Sequence, residues 1–378
     1  MIKSIKIRLY PTKSQEELML KHVHASRFIY NYMLDLQNKR YENDEKHLSA
    51  FDMNKLLTPM KKQEEFVWLR EVSNKTLQRS CADLSDSFSR FFKKTSKHPK
   101  FKCRKRAKWN FPICADKMYF LDDFVNIEKV GKVKYRTDYE LPQGRGCKFS
   151  NPRVSYTNGK WMLSFGIECE NQAVELNEYR IGIDLGIKEL ATVAYGDEST
   201  VFHNINKSHR IRTIKRNIRI LQRRISRKYD QNKQGNKFVK TRNIERCEEK
   251  LRRMYARLSN IRSNYIHQTT HRLVSLLPNT VVMEDLNVQG MMKNRHLSKA
   301  VAEQCFYEFI RQMQYKCEWL GIKFVQVDRF YPSSKTCSCC GSVKSDLKLS
   351  DRTYVCSECG FTIDRDLNAA INLMRYEG

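Results

Sequence analysis

Four cysteines near the carboxyl terminus have the spacing of a structural zinc site. Cys337 and Cys340 form one Cys-x-x-Cys pair, and Cys356 and Cys359 form a second pair later in the chain. A glycine follows each pair and permits a tight turn. Four thiolates complete a tetrahedral zinc sphere and leave no open position for water, so we predict a structural role for the metal. Cys339 does not fit the spacing, and we expect it to lie outside the site.

Three acidic residues, far apart in the chain, could form a second kind of metal site. Asp184 lies within an apolar strand pattern, Glu284 ends another apolar run, and Asp366 opens the last helical segment. The order strand aspartate, strand glutamate and helix aspartate is that of an RNase H-like nuclease. Clustered carboxylates raise one another's pKa, and two Mg²⁺ ions about 3.5–4 Å apart would keep them ionised and support phosphodiester cleavage.

Each of these carboxylates also has an ordinary interpretation when taken alone. Asp184 could be a turn residue, Glu284 a surface charge at a strand end, and Asp366 a helix cap. Asp285 is a weaker candidate because it faces the side of the strand opposite to Glu284. Asp364 lies two residues before Asp366 and competes with it for the third position. The residue pattern by itself leaves this choice open.

The charge of the chain indicates a polyanionic partner. Seventy Lys and Arg against 42 Asp and Glu give a net charge of +28. Such an excess opposes folding by self-repulsion, and a nucleic acid would offset the repulsion. We expect no membrane association, because no apolar run approaches the roughly 20 residues of a spanning helix. The absence of a signal-peptide pattern and the mostly scattered cysteines predict a cytoplasmic protein.

Two segments concentrate this positive charge. The first spans residues 93–109, where Phe101 and Trp109 alternate with basic residues, a composition suited to phosphate contact and base stacking. The second spans residues 203–229, which contain no carboxylate although an ordinary solvated helix mixes both signs. The predicted nucleic-acid-binding residues are Lys100, Lys102, Arg104, Lys105, Arg106, Arg212, Arg216, Arg219 and Arg223.

Hydrophobic periodicity predicts a β-barrel with a helical insertion in the first part of the chain. Residues 1–10 alternate like a strand, and Thr12 or Ser14 can cap the helix that follows. Residues 110–170 contain short alternating runs and an Asn158-Gly159 hairpin signal. The intervening helical segment repeats apolar residues that we expect in a bundle core: Phe28, Ile29, Tyr32, Met33, Leu36, Leu77, Leu84, Phe88, Phe91 and Phe92.

A polar stretch near residues 171–178 predicts a domain boundary. Beyond it we expect two strands joined through Gly186, a coiled-coil-like helical hairpin over about 205–268, strands over 280–286 and 322–327, and a helix over 299–320. The predicted fold class is multidomain α+β. The predicted ranges are a β-barrel over 1–12 and 110–172, a helical domain over 13–109, an RNase H-like domain over 178–335 and 361–378, and a zinc segment over 336–360.

Several motifs make the chain resemble the TnpB family of insertion-sequence nucleases, which are related to type V CRISPR effectors. They are GIDLGIKELAT, VVMEDLNV, SSKTCSCCG, CSECG and DRDLNAAINL, with KIRLYPT and PKFKCRKR nearer the amino terminus. The resemblance implies an RNA-guided DNA endonuclease with a RuvC-type triad of Asp184, Glu284 and Asp366. It selects Asp366 over Asp364, because the family's metal-binding aspartate immediately precedes x-Asn-Ala-Ala.

The resemblance also implies the names and partners of the predicted domains. The barrel would be a wedge domain, the helical insertion a recognition domain, and the zinc segment a target-binding insertion in the RuvC domain. The partners would be a guide RNA from the transposon end and double-stranded target DNA beside a transposon-adjacent motif. Lys75, Thr76 and Gln78 resemble the motif-reading stretch. The bacterial protein would associate with the nucleoid when bound to target, and a monomer on the RNA is favoured.

Two other functions remain open on the sequence. Relatives that have lost the triad act as RNA-guided DNA-binding repressors, and a RuvC-like site could also serve a transposase that joins strands. All three acidic positions are intact in this chain, which favours cleavage.

Overall fold

The protein consists of two compact units, Met1–Glu170 and Asn171–Gly378, and their boundary coincides with the polar stretch in the sequence. The computed structural model describes residues 2–104, 108–169, 174–348 and 350–377. None of the helices in these ranges is long and apolar enough to cross a membrane.

The first unit contains a seven-stranded antiparallel sheet. Its strands are β1 (Ile2–Tyr10), β2 (Trp109–Pro112), β3 (Tyr119–Leu121), β4 (Phe124–Ile127), β5 (Gly131–Arg136), β6 (Phe149–Thr157) and β7 (Lys160–Glu168). The spatial order is β2-β6-β7-β1-β5-β4-β3, so the first strand pairs within this sheet as predicted. In the described strands no ladder joins β2 to β3, and the predicted barrel is therefore not closed by backbone pairing.

Local chemistry explains the centre of this sheet. Alternation in β1 buries Ile5, Ile7 and Leu9 on one face. Asn158 and Gly159 both have positive φ, 52° and 77°, which matches the twist of a two-residue hairpin between β6 and β7. The predicted hairpin is confirmed.

The helical part of the first unit lies between β1 and β2. It comprises α1 (Lys13–Glu42), α2 (Ala50–Met60), a 3₁₀ helix (Glu64–Glu71) and α3 (Asn74–Phe92). Thr12, rather than Ser14, caps α1 through a capping box with Gln15.

The helix core differs in part from the predicted apolar set. Ile29 and Met33 are fully buried, whereas the neighbouring stripe of α1 lies at the rim and Tyr32 keeps 40% of its surface exposed. In α3 the Leu77 face is buried, but Phe92 at the helix end is 63% exposed. Two adjacent faces of α1 are apolar, and packing against other elements decides which of them is buried.

The strands described in the second unit are β8 (Asn177–Leu185), β9 (Glu189–Tyr195), β10 (Glu198–His203), β11 (Lys233–Gln234), β12 (Lys237–Phe238), β13 (Pro278–Glu284), β14 (Lys323–Val327), β15 (Thr353–Val355) and β16 (Thr362–Asp364). Five of them form a sheet with the order β10-β9-β8-β13-β14, and β11 with β12 and β15 with β16 form two-stranded sheets. Strands β13 and β14 run parallel to β8, and β9 is antiparallel to both β8 and β10.

Six α-helices occur in the described part of this unit. They are α4 (His209–Gln231), α5 (Arg242–Val274), α6 (Val288–Lys293), α7 (Ser298–Gln304), α8 (Phe306–Leu320) and α9 (Arg365–Met374). The hairpin of α4 and α5 is confirmed, with its isoleucine stripe buried from Ile211 to Ile225. The single helix predicted over 299–320 is wrong: Cys305, with φ 56°, separates α7 from α8, a break that no local glycine or proline announces.

Candidate active site and metal centre

Parallel pairing places Asp184 beside Glu284. Ile183 of β8 pairs with Met283 of β13, so the two acidic residues that follow occupy the next matching position on neighbouring strands. Matching positions in parallel strands project to the same face of a sheet. The two carboxylates predicted from distant motifs therefore meet at the carboxyl edge of the sheet.

The surroundings of Asp184 penalise its negative charge. Burial raises the pKa of its carboxyl group well above the usual value, and the nearby carboxylates of Glu284 and Asp366 raise it further. Burial also raises the pKa of Glu284, against the opposing effect of a hydrogen bond from Ser333. Part of the Asp184 residue stays accessible to solvent, as a site that admits a substrate requires. A bound cation would relieve this repulsion.

Helix α9 packs directly against β8 and brings Asp366 to the site. Gly182, two residues before Asp184, allows this close approach. A methyl group at position 182 would lie 2.0 Å from the carbonyl oxygen of Ala370 and 2.3 Å from the backbone nitrogen of Met374. Only glycine fits where the two backbones come this close. Its role depends on a helix distant in sequence, so no local sequence pattern indicates it.

The geometry separates the two competing aspartates. Asp364 is exposed and caps α9, accepting hydrogen bonds from the backbone N–H groups of Asp366 (2.9 Å) and Leu367 (3.1 Å). Asp366 has a side chain only 18% exposed and accepts a hydrogen bond from Arg365 at 3.0 Å. Of the two, Asp366 acts more strongly on the pKa of Asp184. Asp364 thus has a structural task that Asp366 lacks.

Side chains of α9 bind the chain that enters the zinc segment. The amide group of Asn368, which is fully buried, donates to the Thr336 carbonyl (2.7 Å) and accepts from the Ser338 N–H (3.0 Å). One turn later, Asn372 donates to the carbonyls of Ser333 (2.7 Å) and Thr336 (2.6 Å). Since the Ser333 hydroxyl also bonds Glu284, this segment connects α9 to the second carboxylate.

The four predicted zinc ligands come together. One sulfur atom from each of Cys337, Cys340, Cys356 and Cys359 lies within 4.8 Å of all the others. The Sγ atoms of Cys337 and Cys359 are 3.7 Å apart, and those of Cys340 and Cys356 are 3.6 Å apart. Sulfur atoms about 2.3 Å from a tetrahedral zinc ion would be roughly 3.8 Å apart, so the cluster fits the ion. Cys339 is exposed and lies outside the cluster, as expected.

The carboxylates are less tightly grouped than the thiolates. Among the described residues, the cysteine cluster is the one set of three or more potential ligands within 4.8 Å of one another. Hydrogen bonds engage Glu284 through Ser333 and Asp366 through Arg365. The weaker candidate Asp285 forms an ion pair with Arg329 at 2.6 Å. These half-buried carboxylates nevertheless supply the all-oxygen donor set that Mg²⁺ prefers.

The first basic segment is only partly available to a nucleic acid. Lys100 and Arg104 are exposed, whereas Lys102 packs its ammonium group 3.5 Å from the ring centroid of Tyr30. Burial lowers the pKa of Lys102 to about 8. Lys102 is therefore less available than its exposed neighbours, and its contact with a phosphate stays a prediction. Lys105 and Arg106 lie outside the described residues.

The aromatic residues of this segment also differ from the expectation. Trp109 is partly buried against the ring of Tyr156 at 5.9 Å, so it packs rather than offering a free stacking surface. Phe101 is 54% exposed and retains that capacity.

The second basic segment forms the solvent face of α4. Its predicted members Arg212, Arg216, Arg219 and Arg223 are all exposed, opposite the buried isoleucine stripe. Separation of apolar and basic residues onto opposite faces leaves a single-sign surface, as the sequence predicted.

The predicted motif-reading residues divide into two groups. Lys75 and Gln78 are exposed at the start of α3. Thr76 is fully buried, and its hydroxyl donates to the Pro112 carbonyl at 2.7 Å. Thr76 therefore connects α3 to β2 and does not reach a DNA surface.

Comparisons with known proteins identify the family. Residues 306–373 match the "Cas12f1-like, TNB domain", residues 164–295 match a "Probable transposase" model of IS605-type proteins, and residues 1–46 match a "Helix-turn-helix domain". In the structure the last range forms β1 and the single long helix α1.

Two relatives and one solved structure cover nearly the whole chain. A protein of Streptomyces pristinaespiralis named "Putative RNA-guided DNA endonuclease" is 31% identical over 98% of this chain and 88% of its own length. InsQ of Escherichia coli, named in the same way, is 29% identical over 99% and 92%. A Cas12f1 complex with guide RNA and target DNA shares the fold, with a TM-score of 0.57 at 13% identity, covering 99% and 98%. The chain belongs to the TnpB family of IS605-type transposon proteins.

Proposed function

We propose that this protein is an RNA-guided DNA endonuclease of a transposable element, with one RuvC-like site formed by Asp184, Glu284 and Asp366. The observation that carries the proposal is that Glu284 and Asp366 lie close enough to Asp184 to add to the effect of burial in raising its pKa. The names of the relatives support the same activity. The sheet order, with β9 as the one antiparallel strand, is that expected of an RNase H-like domain.

Each carboxylate would serve as a ligand, and the surrounding residues would fix its place. Two Mg²⁺ ions held by the triad would activate water for attack on a phosphodiester and stabilise the leaving oxygen. Ser333 orients Glu284 by its hydrogen bond, and Arg365 holds Asp366 through an ion pair. Gly182 sets the distance between α9 and β8.

The remaining parts of the chain would supply the partners. A zinc ion held by the four cysteines would fold the segment that docks on α9 and contacts target nucleic acid. The basic face of α4 would bind the phosphate backbone of the guide RNA or its hybrid with target DNA, while base pairing supplies sequence specificity. The first unit would act as wedge and recognition domains, with exposed Lys75 and Gln78 beside the transposon-adjacent motif.

The test is cleavage of a matched DNA target by the protein purified with its guide RNA. We expect Mg²⁺-dependent cutting that Asp184→Asn or Glu284→Gln abolishes, with guide-RNA affinity within about two-fold of the unsubstituted protein because the α4 face is untouched. Binding of target without cleavage would instead identify a DNA-binding repressor. Joined donor ends without guide-dependent cutting would identify a strand-joining transposase.

A further inference from the structure

The loop that follows Asp184 is held by side chains from elsewhere in the second unit. It spans residues 186–188 and leads into Glu189, the first residue of β9, and the carbonyl oxygen of each of these four residues accepts a hydrogen bond from a side chain. The donors are Gln304 to Gly186 (2.9 Å), Ile187 (3.0 Å) and Glu189 (3.3 Å), Asn204 to Ile187 (2.8 Å), and Lys207 to Lys188 (2.7 Å). Side-chain donors thus supply the hydrogen bonds that these backbone carbonyl groups would otherwise receive from a neighbouring strand.

Gln304 is the central donor. It is 3% exposed and ends α7, immediately before the left-handed Cys305 that breaks the helix. A buried amide without hydrogen-bond partners is unfavourable, so its contact with the loop is strongly specified. An apolar side chain at position 304 would remove this donor from three carbonyl oxygens.

The same helix break connects the loop to the base of the α4–α5 hairpin. Glu303 forms an ion pair with Lys215 at 2.7 Å, and its backbone carbonyl accepts a hydrogen bond from Asn206 at 2.9 Å. Arg262 of α5 donates to the Asn206 side chain at 2.7 Å. The basic hairpin and the end of β8 are therefore parts of one hydrogen-bonded network.

We propose that Gln304, Asn204 and Lys207 are positioning residues that fix the Asp184 end of β8 for metal binding and join it to the basic hairpin. The inference rests on the proposed function of Asp184 as a metal ligand. Asp184 lies two residues before the first hydrogen-bonded loop residue, so the bonds from Gln304, Asn204 and Lys207 restrict movement of the strand end that carries it. Nucleic acid bound along α4 would then act on a segment already attached to the site.

Gln304→Met tests the proposal, with Gln312→Met as its matched control. Gln312 is 2% exposed and hydrogen-bonds Thr270 (3.0 Å) and Glu308 (2.9 Å), but none of its hydrogen bonds reaches the loop. Both substitutions replace a buried glutamine by methionine, which is similar in size but has no amide group. We expect Gln304→Met to weaken Mn²⁺ binding to the RNA-free protein, followed by electron paramagnetic resonance, roughly ten-fold, the scale of lost outer-shell support. Gln312→Met should retain the affinity of the unsubstituted protein.

Hydrogen exchange gives a second readout of the same experiment. The amides of residues 186–190 should exchange faster in Gln304→Met and keep their protection in Gln312→Met. Equal Mn²⁺ affinity in the two variants would overturn the proposal. If Gln304→Met does not fold, Asn204→Ser retains a helix-capping oxygen and loses the donor to Ile187, and it should show the same direction of change. If Mn²⁺ binding depends on Gln304 but the unsubstituted protein with its guide RNA does not cut DNA, only the proposed function is contradicted.

Discussion

At the scale of single residues, the surroundings of Asp184 make the ionised form of its carboxyl group unfavourable. The pKa of Asp184 is raised first by burial and then by two neighbouring carboxylates. Folding without a cation therefore costs free energy at neutral pH, a cost that an oxygen-ligated metal ion would relieve. Shifted pKa values of this kind are concentrated at functional sites.

Asp184→Asn should stabilise the metal-free protein while abolishing cleavage. Because the folded-state pKa of Asp184 is above its unfolded value, the unsubstituted protein loses stability as the pH rises from about 4 through the folded-state pKa. We expect the variant to melt a few degrees higher at about pH 8 in EDTA, since 1 kcal/mol corresponds to roughly 2–4 °C in a unit of this size. The difference should shrink toward pH 4 in differential scanning fluorimetry. A variant that melts lower at neutral pH would contradict this account.

Asparagine substitutions distinguish the two aspartates of α9. Asp364→Asn should keep cleavage within about three-fold, because asparagine and aspartate are comparable N-caps and the new side chain would still cap the helix. Asp366→Asn should reduce single-turnover cleavage at least about 100-fold. This is the upper end of the losses seen when a residue that only supports a metal ligand is replaced, and a ligand itself should matter at least as much. Cleavage that survives Asp366→Asn but not Asp364→Asn would transfer the third ligand to Asp364.

At the scale of elements, local signals predicted the strands, the hairpin and the zinc cluster, but not how they meet. The alternation in β1, the glycine hairpin and the isoleucine repeat of α4 are local properties and were correctly interpreted. The break at Cys305, the burial of Thr76 and the packing of Lys102 on Tyr30 depend on partners distant in sequence. The order of the three carboxylates along the chain is enough to predict that they form one site. The contributions of Gly182 and Ser333 depend on contacts with distant segments, so the sequence does not predict them.

Gly182→Ala should separate α9 from β8. The added methyl group would overlap backbone atoms, which cannot rotate away, and overpacking of this kind costs about 1–3 kcal/mol. We expect loss of Mg²⁺-dependent cleavage together with a lower melting temperature. Gly196→Ala is the matched control: it strains a positive φ of 53° in the β9–β10 turn but meets no atom within 4 Å. Comparable loss of cleavage in both variants would mean that stability, not the position of α9, limits activity.

Removing zinc should impair cleavage more than RNA binding. Cys356→Ser takes one thiolate from the cluster, and the segment that Asn368 and Asn372 hold would lose its folded anchor. We expect less than one bound zinc per chain by mass spectrometry and cleavage reduced roughly ten-fold or more. Guide-RNA affinity should be unchanged. Cys339→Ser, outside the cluster, should behave like the unsubstituted protein in all three measurements.

At the scale of the whole molecule, the excess of +28 charges is unevenly placed. The α4–α5 hairpin contains both arginines without a neighbouring carboxylate and arginines paired with one. Arginines of α4 occupy a stretch without any carboxylate, whereas Arg252 and Arg253 of α5 each pair with a glutamate one turn earlier. Only the unpaired arrangement leaves charge for a phosphate backbone, so equal changes in net charge should have unequal effects.

The salt dependence of guide-RNA binding measures this difference. Replacing Arg216 and Arg223 of α4 by glutamine should lower the slope of log affinity against log salt by about 1.4–1.8, the release expected for two phosphate contacts. Replacing Arg252 and Arg253 removes the same charge from the same hairpin, but Arg253 lies 2.5 Å from Glu249 and Arg252 lies 3.9 Å from Glu248, so each already has a carboxylate beside it. That control should change the slope by less than about 0.5. Equal slopes in the two double variants would mean that RNA responds to the net charge of the protein and not to the face of α4.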